Sequence, residues 1–195
     1  MKENMNVRLY FLSIWSLLDP IYFVLTRLTY IDQEKKNIFR VRLTKYKGRD
    51  VILSDGSRIV KNDLLIKIHL HNARLLKEIK LLSNPLSKGK LIHKLIYDSM
   101  PELAKYINNH SLEKEIKGII GITMINKGFR ALGFECFSPV SRIYKWFKFI
   151  TQLPIFLLST SHFSIKNFHK HSPIYLVMSK DQLLNKYYRP TGNSQ

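Results

Sequence analysis

The stretch "LLIKIHLHN", residues 64–72, alternates apolar and polar side chains with a period of two. A β-strand imposes that period, because successive side chains leave the backbone on opposite sides. Leu64, Ile66, Ile68 and Leu70 therefore share one side, and Lys67, His69 and His71 share the other. "NIFRVRLTKY" (37–46) behaves the same way, with Phe39, Val41 and Leu43 set against Arg40, Arg42 and Thr44. A sheet with one apolar side must bury it, and a slip of one residue would turn that side to water. If both strands join one sheet, their apolar sides agree, and so do their other sides. Arg40, Arg42, Lys67, His69 and His71 are then expected to crowd one face.

The remaining elements follow from similar patterns. "VILSDGSRIV" (51–60) predicts a β-hairpin with Asp55-Gly56 as its two-residue turn, a pair that tolerates the positive φ of a type I′ turn. Four consecutive strands with short connections predict an antiparallel meander. Helices are expected in "ARLLKEIKLL", with Asn72 as cap, and in the pair "SKGKLIHKLIYDS" and "PELAKYINNH", the second starting at Pro101. "EIKGIIGITMI" (115–125) reads as a buried strand, and "NKGFRALGFECF" as a short helix and a return. "SRIYKWFKFITQLPIFLL" (141–158) reads as an aromatic, basic helix ended or kinked near Pro154, and "STSHFSIKNFHKHSP" as a polar loop. "IYLVM" is a last strand, and "SKDQLLNKYY" a helix capped by Ser179. The expectation is a single α+β domain over 1–195, with a core at 37–188 and mainly antiparallel strands packed by helices.

The N-terminal run is apolar from Leu9 to Leu28, broken by Asp19-Pro20 and Arg27. An acid beside a proline at mid-length is costly inside a bilayer, and no small-residue cleavage site follows. Phe11, Ile14, Trp15, Leu18, Tyr22, Leu25 and Leu28 recur at helical steps. An amphipathic helix over 1–30 is expected, lying on the core or on a membrane surface.

Charge narrows the partners. The net charge is +18, and it is carried by two blocks. Residues 35–90 hold fifteen Lys/Arg against four acids, and residues 142–195 hold eight against one. Such blocks attract polyanions, here an anionic membrane surface or an acidic glycan or phosphate ligand. Nucleic acid is the lesser alternative, since no nucleic-acid motif accompanies the charge. The single cysteine, Cys136, excludes an intramolecular disulfide and fits a reducing, cytoplasmic compartment, with possible attachment to the inner membrane face left to the N-terminal helix. Its neighbours Phe134 and Phe137 favour a buried, inert thiol.

Three readings of the basic face stand side by side. It is a solvated or helix-covered basic surface; or an oxyanion site in which Arg40, Arg42 and Lys67, with Asn72 nearby, hold a carboxylate or phosphate while His69 or His71 adjusts charge; or a metal site. His-x-His on a strand can give two zinc ligands, and His169 and His171 could give two more. No third ligand is set by spacing and the surrounding cations repel a metal, so none is assigned, and no cofactor is indicated. For catalysis, His69 and His71 are the candidate bases. Asp63 is the best carboxylate to orient one of them, although its plainer role is to turn the chain beside Asn62. There is no phosphate-binding glycine loop, nucleophile elbow or H-E-x-x-H.

Taken together, "FRVRLTKYKGRDVILSDGSRIVKNDLLIKIHLHNARLL" (39–76), "EIKGIIGITMINKGFRALGFE" (115–135), "SPIYLVMSKDQLLNKYY" (172–188) and the N-terminal "IWSLLDPIYFVLTRL" resemble the YkoP-like family. That family is also found as a domain appended to polysaccharide deacetylases. The resemblance implies work on the cell-envelope glycan or lipid, with an envelope enzyme as a possible partner, and supplies no catalytic residues to carry over. A local second resemblance is to GNAT-type N-acyltransferases, through the strand, Asn126, the short helix and "LGFE" (132–135). That fold binds a cofactor pyrophosphate with a glycine-bearing loop after a central strand. The corresponding segment here, "NARLLKE", has no glycine.

Overall fold

The computed structural model describes residues 28–31, 37–79, 82, 84–123, 128–138 and 173–188. The N-terminal run before Leu28, the 141–158 segment and the His169/His171 pair lie outside these residues. Six strands form one sheet: β1 (Thr29–Tyr30), β2 (Phe39–Lys45), β5 (Leu64–Leu70), β6 (Ile116–Thr123), β7 (Glu135–Phe137) and β8 (Ile174–Ser179). Their order across the sheet is β1-β2-β5-β6-β8-β7. All neighbours are antiparallel except β5 and β6, which run parallel. A parallel pair needs a crossover, and it is made by α1 (Asn72–Ile79) and α2 (Pro85–Asn108). A 3₁₀ turn (Phe129–Leu132) precedes β7, and α3 (Lys180–Tyr187) closes the described chain. The class is α+β, as the patterns predict.

The helices cover one face. Phe39, Val41 and Ile66 of the sheet meet Leu75 and Ile79 of α1, Ile96, Met100, Leu103 and Ile107 of α2, and Leu183 of α3, all buried. Burying each such side chain contributes roughly 1.5–3 kcal/mol before chain entropy is counted. A polar lock fixes β2 on α2. Ser99 Oγ accepts from the Ile38 N–H at 3.2 Å, and Asn37 donates to the Ser99 carbonyl at 3.3 Å, with all three residues buried.

The expected meander does not form. β3 (Val51–Ile52) and β4 (Arg58–Ile59) make a separate two-stranded sheet, and β2 pairs directly with β5. The cause is local: Tyr46 N–H donates to the Asp63 carbonyl and Asn62 N–H to the Tyr46 carbonyl, both at 2.8 Å, so the strand ends meet beneath the inserted hairpin. Asn62 takes φ 75°, a left-handed conformation that asparagine tolerates. The hairpin folds onto the second face of the sheet. There Leu53 and Ile59 join Tyr46, Leu65, Ile120 and Val177 in a smaller buried cluster. Its tip is latched: Ser54 gives its N–H and hydroxyl to Glu135 at 2.6 and 2.9 Å, and Ser179 donates its hydroxyl to Asp55.

One further expectation changes. α2 is one helix of 24 residues with Pro101 inside it, not two helices meeting at that proline. Proline removes the bond to the Tyr97 carbonyl, but Pro101 and Tyr97 both lie on the exposed side, where water can serve that carbonyl. The first turn of α1 is closed by the His71 carbonyl, which accepts from the Leu75 N–H at 2.9 Å. The side chain of Asn72 lies outside the described residues. Ser179 does cap α3, accepting from the Gln182 N–H at 3.0 Å.

Candidate functional site

The register between β2 and β5 assembles the site. Arg40 stands opposite His69, and Arg42 opposite Lys67. Directly opposed antiparallel residues point to the same side, with Cβ atoms roughly 5 Å apart. β1 adds Tyr30 opposite Arg40. The face thus carries Tyr30, Arg40 and His69 in one row across three strands, with Arg42 and Lys67 in the next. His71 lies just beyond the end of β5, its N–H donating to the Ile38 carbonyl at 2.7 Å.

Arg40 anchors the group. It is buried, at 3% exposure, and its Nη2 donates to the Tyr30 hydroxyl at 2.8 Å. Its Cζ also sits 5.0 Å from the Tyr30 ring centroid, a cation over an aromatic face. The His71 ring lies 5.8 Å from the same tyrosine, tilted by 60°. Arg40 Nε, Arg42 Nε and His69 Nε2 are all shielded from solvent. Tyr30, Arg40, Arg42, Lys67, His69 and His71 each make further interactions, so the cluster is packed rather than a fringe of loose charges. Like charges on neighbouring strands repel, and an anion among them offsets that repulsion.

The face changes character along and across the sheet. Toward the start of β5 it is apolar and covered by the hairpin, through Leu65, Ile120 and Val177. Toward the end of β5 it is basic. On the far strands Tyr175 of β8 pairs with Ile122 of β6 and Phe137 of β7, so an apolar strip runs beside the cations. The ladder between the parallel strands covers Leu64–Lys67 of β5 and Ile116–Ile120 of β6, with a register shift between Leu64 and Leu65. β5 runs on to Leu70 and β6 to Thr123. Ligands of open α/β sheets bind beyond the carboxyl ends of parallel strands, and His69 and His71 stand at that end of β5.

Asp63 is not brought to the histidines. It precedes β5, six residues and therefore about 20 Å from His69 along an extended strand. Its Oδ2 accepts from the Val60 N–H at 2.8 Å, which is the turn-making role. Tyr30 was not anticipated at the site; it follows the apolar N-terminal run, and only its pairing with β2 brings it in. Among the described residues no three His, Cys, Asp or Glu side chains gather as a metal set. Cys136 is half-buried against the main core.

Comparison with known proteins places the chain. The YkoP domain matches residues 8–187. The chain belongs to the YkoP domain family. It is 48% identical over 179 residues to a Bacillus subtilis (strain 168) protein described as "Uncharacterized protein YkoP", covering 92% of this chain and 97% of that protein. No solved structure matches it. The YkoP match includes every strand and helix described above, and thus the whole basic face. Among the described residues no helix is long and apolar enough to cross a membrane.

Proposed function

We propose that this YkoP-family protein binds an anionic ligand, a phosphate or carboxylate group on an envelope glycan or lipid intermediate, at the basic face of its sheet. The observation that supports the reading is the β2–β5 register, which sets Arg40 against His69 and Arg42 against Lys67. Arginine holds planar oxyanions through two parallel hydrogen bonds, and histidine can change charge near neutral pH, so the group combines binding with proton transfer. Arg40, fixed by Tyr30, is the positioning cation. Arg42 and Lys67 supply the remaining attraction, and His69 or His71 is the candidate base. The apolar strip of Ile122, Tyr175 and Phe137 suits a ligand whose anionic group is joined to an apolar body. An anionic membrane surface is the setting in which such a ligand would be met.

A second reading, acyl transfer, draws on the one parallel pair among the described strands, whose ladder stops at Lys67 and Ile120 while both strands run on. The helix opening after β5 has no glycine in "NARLLKE", so a cofactor pyrophosphate would rely on the basic side chains and the backbone N–H groups of the first turn of α1.

The test is a thermal-shift panel with inorganic pyrophosphate, nucleotide-sugars, acyl-CoA and vesicles containing anionic lipid, run on the wild type and on Arg42→Ala and His71→Ala. A ligand at a hundredfold excess over its Kd raises stability by about 2.7 kcal/mol. One of these ligands should raise the wild-type Tm and fail on Arg42→Ala. If the protein melts alike with every ligand, or Arg42→Ala responds like wild type, the anion-site reading is wrong. A response to acyl-CoA that pyrophosphate does not reproduce would select the second reading.

A further inference from the structure

The hairpin of β3 and β4 has two sides of opposite character. Its register sets Val51 opposite Ile59 and Ile52 opposite Arg58. Opposed residues share a side, and neighbours along a strand alternate. Ile59 is fully buried against the second face of the sheet, with Val51 packed beside it. Ile52 and Arg58 therefore face away from the molecule. Ile52 is 72% exposed, the most of any large apolar side chain among the described residues. The hairpin is already held by Leu53 and Ile59 on its inner side, so the fold does not need an isoleucine on the outer one. Apolar area left in water is unfavourable, and burying it against a partner removes that cost.

Cations surround this isoleucine. Arg58 Nη2 donates to Asp50 Oδ2 at 3.1 Å, and the Lys61 N–H donates to Asp50 Oδ1 at 3.3 Å. The one nearby carboxylate is thus matched by Arg58, and the exposed Lys61 adds a charge beyond that pair. The turn before β3 adds two more. Buried Tyr46 donates its hydroxyl to the Arg49 carbonyl at 2.8 Å. A Cβ at Gly48 would run into the Tyr46 ring and hydroxyl, so a glycine lets the chain lie across that ring. The turn backbone is fixed in this way, and Lys47 and Arg49 on either side of Gly48 are both exposed.

A nucleic acid would use the cations, but an aliphatic tip offers its bases nothing to stack on. A bilayer uses both: its anionic headgroups attract the cations, and an apolar side chain gains by entering the layer beneath them. We infer that the outer side of this hairpin docks on an anionic lipid bilayer, with Ile52 below the headgroups and Lys47, Arg49, Arg58 and Lys61 among the phosphates. The hairpin lies on the same face of the sheet as Arg40, Arg42 and His69, so docking brings that face to the lipid surface. The inference rests on the reading that the ligand is met at a membrane, but not on which residues hold the ligand.

The experiment is cosedimentation of the full chain with phosphatidylcholine vesicles, plain or mixed with phosphatidylglycerol, at low and high salt. The chain should bind the anionic vesicles, and binding should fall as salt shortens the reach of charge. Ile52→Ser should weaken binding about tenfold. Lys47→Ala with Arg49→Ala should weaken it about twentyfold, near fivefold for each cation lost. These positions are exposed, so each variant should melt as wild type does. Lys90→Ala with Lys94→Ala removes the same charge from exposed positions of α2, on the other side of the sheet, and should bind nearly as wild type does. Arg42→Ala should still cosediment even if it has lost every soluble anionic ligand, which separates failure of the ligand site from failure of the docking surface. The inference is overturned if wild type ignores anionic vesicles, if Ile52→Ser binds as wild type does, or if the α2 pair costs as much as the Lys47 and Arg49 pair. A DNA duplex that displaces the chain from vesicles and binds Ile52→Ser as well as wild type would also overturn it, in favour of nucleic acid.

Discussion

Gly118 and Gly121 lie three residues apart on β6, and the structure gives them opposite tolerances for a methyl group. A Cβ at Gly118 would sit 2.4 Å from the Met178 carbonyl oxygen, 3.2 Å from Ser179 Cα and 3.3 Å from Met178 C. All three are backbone atoms of β8, so no side chain can turn aside. To bring the first contact to the 3.0 Å that real Cβ atoms respect, β6 and β8 must part by about 0.6 Å. Bonds of ordinary length, about 2.9 Å, would stretch to the edge of hydrogen bonding, each worth about 1 kcal/mol. With overpacking strain of about 1–3 kcal/mol, less about 0.4–1 kcal/mol gained from a stiffer unfolded chain, Gly118→Ala should cost about 2–4 kcal/mol. For a chain of this length that lowers the Tm by about 5–12 °C. At Gly121 the nearest atom is Ile68 Cγ1 at 3.2 Å, a side-chain atom that can shift. Gly121→Ala should therefore stay within about 1 kcal/mol of wild type. Calorimetry and urea unfolding of the two variants measure both numbers. Equal losses, or a Gly118→Ala protein that melts within about 2 °C of wild type, would refute the close approach of β6 and β8 and the register built on it.

Two pH predictions follow from the polar contacts. Burial would raise the Asp55 carboxyl, but hydrogen bonds from Ser179 and Ser57 outweigh it and hold the group below its ordinary value of 3.8. A lowered folded-state pKa gives stability that is present above the ordinary value and is lost as pH falls through the folded one. In acid the urea midpoint of wild type should therefore fall more steeply than that of Asp55→Asn; parallel curves would show that the hairpin latch is not an ionic contact. Tyr187 behaves in the opposite sense. Burial, then the neighbouring Tyr97, pushes its hydroxyl up to about 12, and that hydroxyl donates to the Leu132 carbonyl at 2.8 Å. A raised tyrosine pKa keeps its stability below the ordinary value of 10.0 and loses it as pH climbs toward 12. Tyr187→Phe should cost about 1–3 kcal/mol at neutral pH, through the orphaned carbonyl, and should flatten the alkaline limb of the stability curve. A variant with the wild-type alkaline slope would assign that limb to other groups.

The two pH predictions also mark where sequence reading stops, since both rest on partners distant in the chain. Asp55 meets Ser179 across 124 positions, and Tyr187 meets Leu132 across 55. The lock that sets β2 on α2 joins Ile38 to Ser99 across 61 positions. Serine at position 99 reads like any other serine of a helix. Its role exists only once β2 lies beside it, because a side-chain hydroxyl has no preference for a partner until burial removes water as the alternative. Pro101 is the converse case. A proline reads as a helix start, yet packing on both sides of it, by Met100, Leu103 and Ala104, outweighs one lost backbone bond.

What the chain order alone determined was the shared side of Arg40, Arg42, Lys67, His69 and His71, since strand geometry forces a period of two and burial of the apolar side forbids a slip. The Ser179 cap was equally local, because it depends on one residue and the backbone beside it. The hairpin turn was not: the register of Val51 with Ile59 and of Ile52 with Arg58 leaves a three-residue loop, Ser54 to Gly56, with the positive φ at Gly56, in place of the expected two-residue turn at Asp55-Gly56. Which strands are neighbours was decided only in three dimensions. The hairpin left the sheet because the Tyr46, Asn62 and Asp63 bonds joined β2 to β5 beneath it, while Leu65, Ile120 and Val177 offered its apolar residues a surface to cover. That one choice placed Arg40 opposite His69. Pairing between strands nineteen or more residues apart is a competition among whole surfaces, and no local pattern carries its outcome.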